Sequence, residues 1–192
     1  MDKTGKKIQK RENPNDVFIT PDTLVQEHFE LVEPYLKPDD FILDPCCHTT
    51  QKYYKRFMKY LDDNNPNEYD ENDERELCGI TDYCEISMGK DFFEYYGIGG
   101  FSPDAIVGNP PYSLIDAFLD KSISLNPRVI SFLIGFSNIT TKRLEKMEKA
   151  GYTCVECLLT KVFKWFGMSL LIVWVKDPDA KSVVGYDRKV HR

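Results

Sequence analysis

The chain has 192 residues, a length that suits one domain, and its 42% hydrophobic and 29% charged content is ordinary for a core-forming protein. No apolar run reaches the ~18 residues of a membrane helix, and the opening Met-Asp-Lys-Thr-Gly-Lys-Lys has no apolar stretch behind it, so neither a membrane span nor a secretory leader is expected. The net charge of −6 weighs against a uniformly nucleic-acid-binding surface, and the six cysteines form no disulfide framework, which points to reduced thiols in a cytoplasmic protein.

Taken in chain order, residues 1–16 read as a basic tail with Lys6, Lys7, Lys10 and Arg11. Val17-Phe-Ile-Thr-Pro21 then leads into a helical run over 22–36, with Thr or Asp before it and Pro near its first turn. Phe41-Ile-Leu-Asp44 has the form of a buried parallel strand ending in an acid. A loop through Cys46, Cys47 and His48 precedes a helix over 49–61 that bears Lys52, Lys55 and Arg56. Residues 62–77 are dense in acids and asparagines with almost no apolar side chain, so they read as a mobile acidic surface loop.

Further strands are expected at 78–82, about 86–91, 104–108 and 128–134, with helices at 113–125 and 140–150. The last helix carries Lys142, Arg143, Lys146 and Lys149. Strands at 153–163 and 169–176 are joined by a short turn without a helix, which predicts a terminal antiparallel hairpin. Residues 17–178 would form the domain, and 179–192, with Arg188, Lys189 and Arg192, a second basic tail. Alternating strands and helices call for an α/β fold: a Rossmann-like, mainly parallel sheet with helices on both faces. Cys154-Val-Glu-Cys157 is a lone Cys-x-x-Cys whose two thiols should face opposite sides of a strand, so no metal is expected there.

Residues 106–112, Ile-Val-Gly-Asn-Pro-Pro-Tyr, carry the chemistry. Asn109 falls at the carboxyl end of a strand, where open α/β sheets place their ligands. Pro110 and Pro111 have no N–H and fix φ, so nearby carbonyls can be aimed rigidly. Tyr112 adds a flat face. These parts suit a planar substrate bearing an NH2 group. Its nitrogen lone pair is delocalised and poorly nucleophilic. Two acceptors, Asn109 Oδ1 and the Pro110 carbonyl, could take both N–H bonds and pull the nitrogen toward a tetrahedral form. Tyr112 could stack on the ring, a contact of roughly 1–3 kcal/mol per base.

This segment resembles the catalytic Asn-Pro-Pro-Tyr motif of the S-adenosylmethionine-dependent amino-methyltransferases, of which the N6-adenine DNA methyltransferases are the largest group. The resemblance extends upstream. Asp44 and Pro45 match the first cofactor motif, Asp-Pro-x-x-Gly-x-Gly, whereas His48 and Thr50 stand where that motif has glycine. Cys46 lies in the same loop and could face the cofactor or the core. By the same resemblance Asp82 would accept from ribose hydroxyls, Asp91 from the adenine amino group, and Phe92 would pack on that ring. Phe18, Thr20 and Pro21 match the Phe-x-Thr-Pro segment that folds over the cofactor, with Thr20 bonding its methionine carboxylate. The implied fold is a seven-stranded methyltransferase sheet with a C-terminal antiparallel hairpin.

The expectation is therefore an enzyme that uses S-adenosyl-L-methionine to methylate an exocyclic amino nitrogen, adenine N6 in DNA above all, after flipping the base into the Asn109–Tyr112 pocket. No metal is required. The partner would be DNA, with RNA adenine or a protein glutamine as other acceptors. Without a separate recognition domain, specificity would rest on loops 62–77, 137–142 and 163–168. There Trp165 and Phe166, beside Lys161 and Lys164, would either stack on bases or fill a hairpin core. A degenerate methyltransferase fold kept as a nucleic-acid- or protein-binding module is the rival expectation.

Overall fold

A computed structural model describes residues 19–64, 79–162 and 167–187. The expected 1–16 tail, Phe18, most of the acidic loop, Lys164, Trp165, Phe166, Arg188, Lys189 and Arg192 lie outside these residues.

The strands are β1 (Phe41–Asp44), β2 (Ile80–Tyr83), β3 (Ala105–Gly108), β4 (Val129–Gly135), β5 (Thr153–Thr160) and β6 (Ser169–Val175). The helices are α1 (Asp22–Val32), α2 (Lys52–Asn64), α3 (Ile115–Leu125) and α4 (Thr141–Lys149). One mixed sheet runs in the order β2-β1-β3-β4-β6-β5. The first four strands are parallel; β6 is antiparallel to both β4 and β5. Strand β4, Val-Ile-Ser-Phe-Leu-Ile-Gly, is buried along its whole length, as its near-continuous apolar run requires of a central strand.

The sheet sorts its side chains by alternation. Leu43, Ile106, Ile130 and Phe132 face α3 and α4 in a core that includes Phe92, Phe118 and Met147. Ile42, Ala105, Val107 and Val129 face α1 and α2 through Val25, Phe29, Val32, Phe57 and Tyr60. Helices thus cover both faces. On α1 the buried positions Leu24, Val25, His28, Phe29 and Val32 follow the helical period, and each large apolar side chain so buried is worth about 1.5–3 kcal/mol.

Four expectations change. The described residues contain six strands, not seven: in place of the strand expected at 86–91 the chain forms the 3-10 turn Ile86–Met88, followed by a second, Phe92–Glu94. Each is capped by an acid, with Glu85 accepting from the Ser87 N–H and Asp91 from the Phe93 N–H, so local side-chain bonds replace a ladder. Helix α2 runs on to Asn64, so the first residues of the expected acidic loop are helical. The C-terminal segment does not leave the domain at 178: Val183 donates its N–H to the Cys154 carbonyl at 2.9 Å, and Val184 packs on the core. Finally, a bulge between Cys154 and Glu156 shifts the register, so Cys154 and Cys157 oppose Trp174 and Ile172 and both pack on the same core face.

Candidate active site

Strands β1 and β3 are hydrogen-bonded neighbours, with Ile42 opposite Ala105 and Leu43 opposite Ile106. The chain leaves β1 toward β2 on one side and resumes with β3 on the other. This is a topological switch point, and the crevice outside its carboxyl ends is the ligand position of open α/β sheets. Asp44 closes β1, and Asn109 follows β3. Gly108 lets the two ends meet: a Cβ there would stand 2.9 Å from Pro45 Cδ and 3.0 Å from Asp44 Oδ1. That glycine is required by close approach.

Asp44 is fully buried. Its Oδ1 accepts from the Cys46 N–H at 3.2 Å, whereas Oδ2 has no protein partner. Burial pushes its pKa from 3.8 up to about 8, against the opposing pull of backbone N–H bonds from Cys46 and from Tyr54 in the first turn of α2. An orphaned buried carboxyl oxygen at the switch point fits a ligand that brings an N–H donor or positive charge, such as the amino group of a methionine moiety.

The loop after Asp44 answers the missing glycines. His48 takes φ 54° and Gln51 φ 53°, both left-handed. The position occupied by glycine in the family motif keeps the conformation that favours glycine, and histidine is among the residues that tolerate it. His48 Nδ1 lies 3.4 Å from both the Thr50 N–H and Thr49 Oγ1, so its side chain closes its own turn. Thr50, at the second glycine position of the motif, is not left-handed.

Asn109 is held from a distance. Its Nδ2 donates to Oγ1 of Thr20 at 3.1 Å. Thr20, 5% exposed, does not cap α1: the cap residue is Pro21, and no side chain bonds the helix start. Pro110 is buried, and Pro111, at φ −54°, opens the 3-10 turn Tyr112–Leu114. The Tyr112 hydroxyl lies 3.3 Å from Ser169 Oγ at the start of β6, and its ring lies against Gly135 at the end of β4. Thr20, Asp44, Asn109 and Tyr112 therefore gather at the carboxyl end of the parallel strands.

The remaining expected residues sit to one side. Asp82, in β2, accepts from Lys90 Nζ at 3.0 Å and the Tyr95 hydroxyl at 2.9 Å, so both its oxygens have protein donors. Asp91 caps the turn that follows it, through Oδ1 and the Phe93 N–H. Phe92 is 2% exposed and stacks on Phe118 at 5.1 Å between centroids, while Phe93 is only partly buried. Cys46 is half-buried and packs against the core.

Sequence reasoning missed His28, Tyr53, Ser131, Gly135 and Ser169. Only His28 left a legible signal. It stands on the buried face of α1, four residues after Leu24 and four before Val32, where a polar residue needs partners. Its partners come from α2 and β4: Tyr53 OH at 2.8 Å and Ser131 Oγ at 2.7 Å. Burial lowers its pKa from 6.5 to about 3, so the ring is neutral.

The basic clusters are largely engaged within the fold. Arg143 forms a bidentate pair with Asp116, Lys146 pairs with Asp120, and Lys149 with Glu145. Lys52 pairs with Asp22, and Arg56 lies 3.4 Å over the Phe29 ring. A cavity of about 360 Å³ lies between α4, β5, β6 and the segment from Ala180 to Tyr186, and shares no residue with this site.

No family model and no curated protein matches the chain. Solved structures do. A modification subunit of a putative type I restriction enzyme from Vibrio vulnificus YJ016 superposes with TM-score 0.54 at 12% identity, over 91% of this chain and 48% of that one, so the chain spans about half its length. The E. cuniculi complex responsible for methylating the translation termination factor eRF1 gives TM-score 0.50 at 17% identity, covering 83% and 98%. A human methyltransferase 10 domain containing protein gives TM-score 0.50 at 13% identity, covering 90% and 94%. At these identities the likeness establishes the architecture: an α/β methyltransferase fold ending in an antiparallel β5–β6 hairpin.

Proposed function

We propose that this protein is an S-adenosylmethionine-dependent amino-methyltransferase that acts on adenine N6 in DNA. The observation that carries the proposal is the meeting of Asn109-Pro-Pro-Tyr112 with Asp44 across the β1–β3 switch point, with the Asn109 amide anchored on Thr20. DNA as the acceptor is supported by the resemblance of Asn109-Pro-Pro-Tyr112 to the motif of the N6-adenine DNA methyltransferases. The cofactor would supply an electrophilic methyl group. Asp44, Pro45 and Cys46 would hold its methionine end, with the Thr20 hydroxyl committed to Asn109; Asp82 and Asp91 would serve its nucleoside end, while Phe92, 2% exposed, stays in the core.

The chain's own residues would do the rest by positioning and electrostatics. Asn109 Oδ1 and the Pro110 carbonyl take the two N–H bonds of the target amine and draw its lone pair out of the ring. Tyr112 stacks on the flipped base, with its hydroxyl held at Ser169. The amine proton displaced on methylation leaves to solvent.

The test is transfer of a labelled methyl group from S-adenosylmethionine to adenine-containing duplex DNA, beside calorimetry of cofactor binding. Wild type should transfer label to adenine N6. Asn109→Ala should lose at least about a hundredfold in rate while still binding cofactor, and Asp44→Ala should lose cofactor binding. Label appearing in RNA or in protein glutamine would move the acceptor. A folded wild type that binds no cofactor, with or without DNA, would leave the fold as a binding module.

A further inference from the structure

Asn109 lies at one end of a buried hydrogen-bond chain that crosses the domain. Its Nδ2 donates to Thr20 Oγ1 at 3.1 Å. The Thr20 hydroxyl favours the Tyr53 phenolate, as a donor to the Tyr53 oxygen does. Tyr53 OH lies 2.8 Å from His28 Nδ1, and His28 Nε2 lies 2.7 Å from Ser131 Oγ. Ser131 Oγ donates to the Ile172 carbonyl at 3.0 Å. Thr20, His28, Tyr53 and Ser131 are all buried, and α1, α2, β4 and β6 each contribute a member.

Such a chain has a direction, and its far end sets it. A backbone carbonyl only accepts. Ser131 therefore uses its one proton on Ile172 and must accept from His28. His28 then carries its proton on Nε2, which leaves Nδ1 as the acceptor for Tyr53. Tyr53 spends its proton on His28, so its oxygen accepts from Thr20. Thr20 in turn spends its proton on Tyr53, so its oxygen accepts from Asn109. Only the amide nitrogen of Asn109 can answer that demand. With the other tautomer Ser131 would donate to His28 and give up Ile172, the links from His28 to Asn109 would reverse, and Thr20 would donate to the amide oxygen.

We propose that His28, held as its Nε2–H tautomer by Ser131, is a positioning residue that fixes which way the Asn109 carboxamide faces, keeping its nitrogen on Thr20 and turning its oxygen toward the target amine. This rests on the amino-methyltransferase reading, in which the oxygen is the working atom. A flipped amide would present N–H to N–H. Because the chain is buried and His28 is neutral, its direction does not depend on pH across the neutral range. One His imidazole, placed over 80 residues before the motif in sequence, thus selects one of two otherwise nearly isosteric amide orientations.

The test has two independent arms. In isotope-labelled protein without ligand, nitrogen-detected NMR of the His28 ring should show Nε2 protonated and Nδ1 bare, and Tyr53→Phe should shift the Asn109 side-chain amide signals. A protonated Nδ1, or Asn109 signals indifferent to Tyr53→Phe, overturns the proposal whether or not the protein methylates anything. In the activity arm, Tyr53→Phe and His28→Leu should lower kcat about ten- to hundredfold with KM for S-adenosylmethionine little changed. His28→Gln should retain most of kcat, because one amide can donate to Ser131 and accept from Tyr53. If His28→Gln falls as far as His28→Leu while both fold, bulk packing rather than polarity is at work, and the proposal fails. If wild type itself transfers no methyl group, the functional reading fails, and the NMR arm alone decides the relay.

Discussion

Gly135 lies so close to the ring of Tyr112 that a Cβ on it would stand 3.0 Å from both Cδ2 and Cε2. The end of β4 therefore forms the back wall for the aromatic face of the motif. The same Cβ would meet Asn138 Nδ2 at 3.1 Å, so neither side offers room. Gly135→Ala should push the Tyr112 ring out of place. The expected result is a folded protein destabilised by about 1–3 kcal/mol, with methyl transfer reduced and cofactor binding intact. Thermal denaturation and kcat/KM, measured together, check this. Unchanged kcat/KM would show that the ring position does not matter.

Tyr112 itself separates stacking from hydrogen bonding. Tyr112→Phe keeps the flat face and loses the 3.3 Å contact with Ser169, so transfer should fall less than about tenfold. Tyr112→Ala removes the stacking surface and should weaken the acceptor's KM by about 1–3 kcal/mol. Equal losses in both variants would assign the role to the hydroxyl.

Asp44 and His28 give the fold a specific dependence on pH. The folded pKa of Asp44 is raised to about 8 from 3.8, so its stabilising effect is complete below 3.8 and is lost as pH rises through 8. The folded pKa of His28 is lowered to about 3 from 6.5, so its effect is complete above 6.5 and is lost as pH falls through 3. The two slopes oppose and cancel between 3.8 and 6.5. From 6.5 to 8 Asp44 acts alone, and stability should drop by about 1.4 kcal/mol per pH unit. Denaturant titrations of wild type and Asp44→Asn across that window check the effect; parallel slopes in the two proteins would refute it.

His48 tests whether the cofactor loop tolerates its lost glycines. At φ 54° a glycine is unstrained, so His48→Gly should change stability by less than about 1 kcal/mol, since relief of strain offsets the added freedom of the unfolded chain. A β-branched residue is far worse there, and His48→Val should cost about 1–2 kcal/mol. Calorimetry should find cofactor affinity retained in His48→Gly. Loss of binding there would mean that the imidazole itself, not the backbone path, is what the loop needs.

Asp40 and Arg128 tie the approach to β1 to the start of β4. Arg128 Nη2 meets both Asp40 oxygens at 2.8 and 2.7 Å, and Nη1 donates to the Tyr35 carbonyl at 2.8 Å. The aspartate is buried while a third of the arginine side chain is exposed, which tempers the gain. Arg128→Met leaves the buried carboxylate short of donors and should cost about 1–3 kcal/mol. Chemical denaturation measures it.

Much of this fold is legible in the chain because its signals are local. The run Val129–Gly135 has no polar break except Ser131, and only a doubly flanked strand buries such a run. The periodic apolar residues of α1 mark its inner face. The hairpin follows from two strand-like runs without room for a crossover helix. What failed was also local in kind. At 86–91 the apolar Ile86 and Met88 suggest a strand, but Glu85 and Asp91 bond the backbone just ahead and divert it into turns. In β5 one extra residue at the bulge reversed the side on which Cys157 lies.

By itself the sequence determined the kinds of element, the strand ends at Asp44 and Asn109, and the candidate catalytic tetrapeptide, since hydrophobic period, proline and glycine act within a few residues of themselves. Only the tertiary structure decided how those parts are oriented. That Thr20 serves Asn109 rather than a helix cap, that Gly135 backs Tyr112, and that His28 joins Tyr53 to Ser131 all depend on contacts between residues 23 to 103 positions apart. A hydrogen bond requires a partner at about 3 Å, and for these groups that partner is supplied by strand order and helix packing, not by neighbours in the chain.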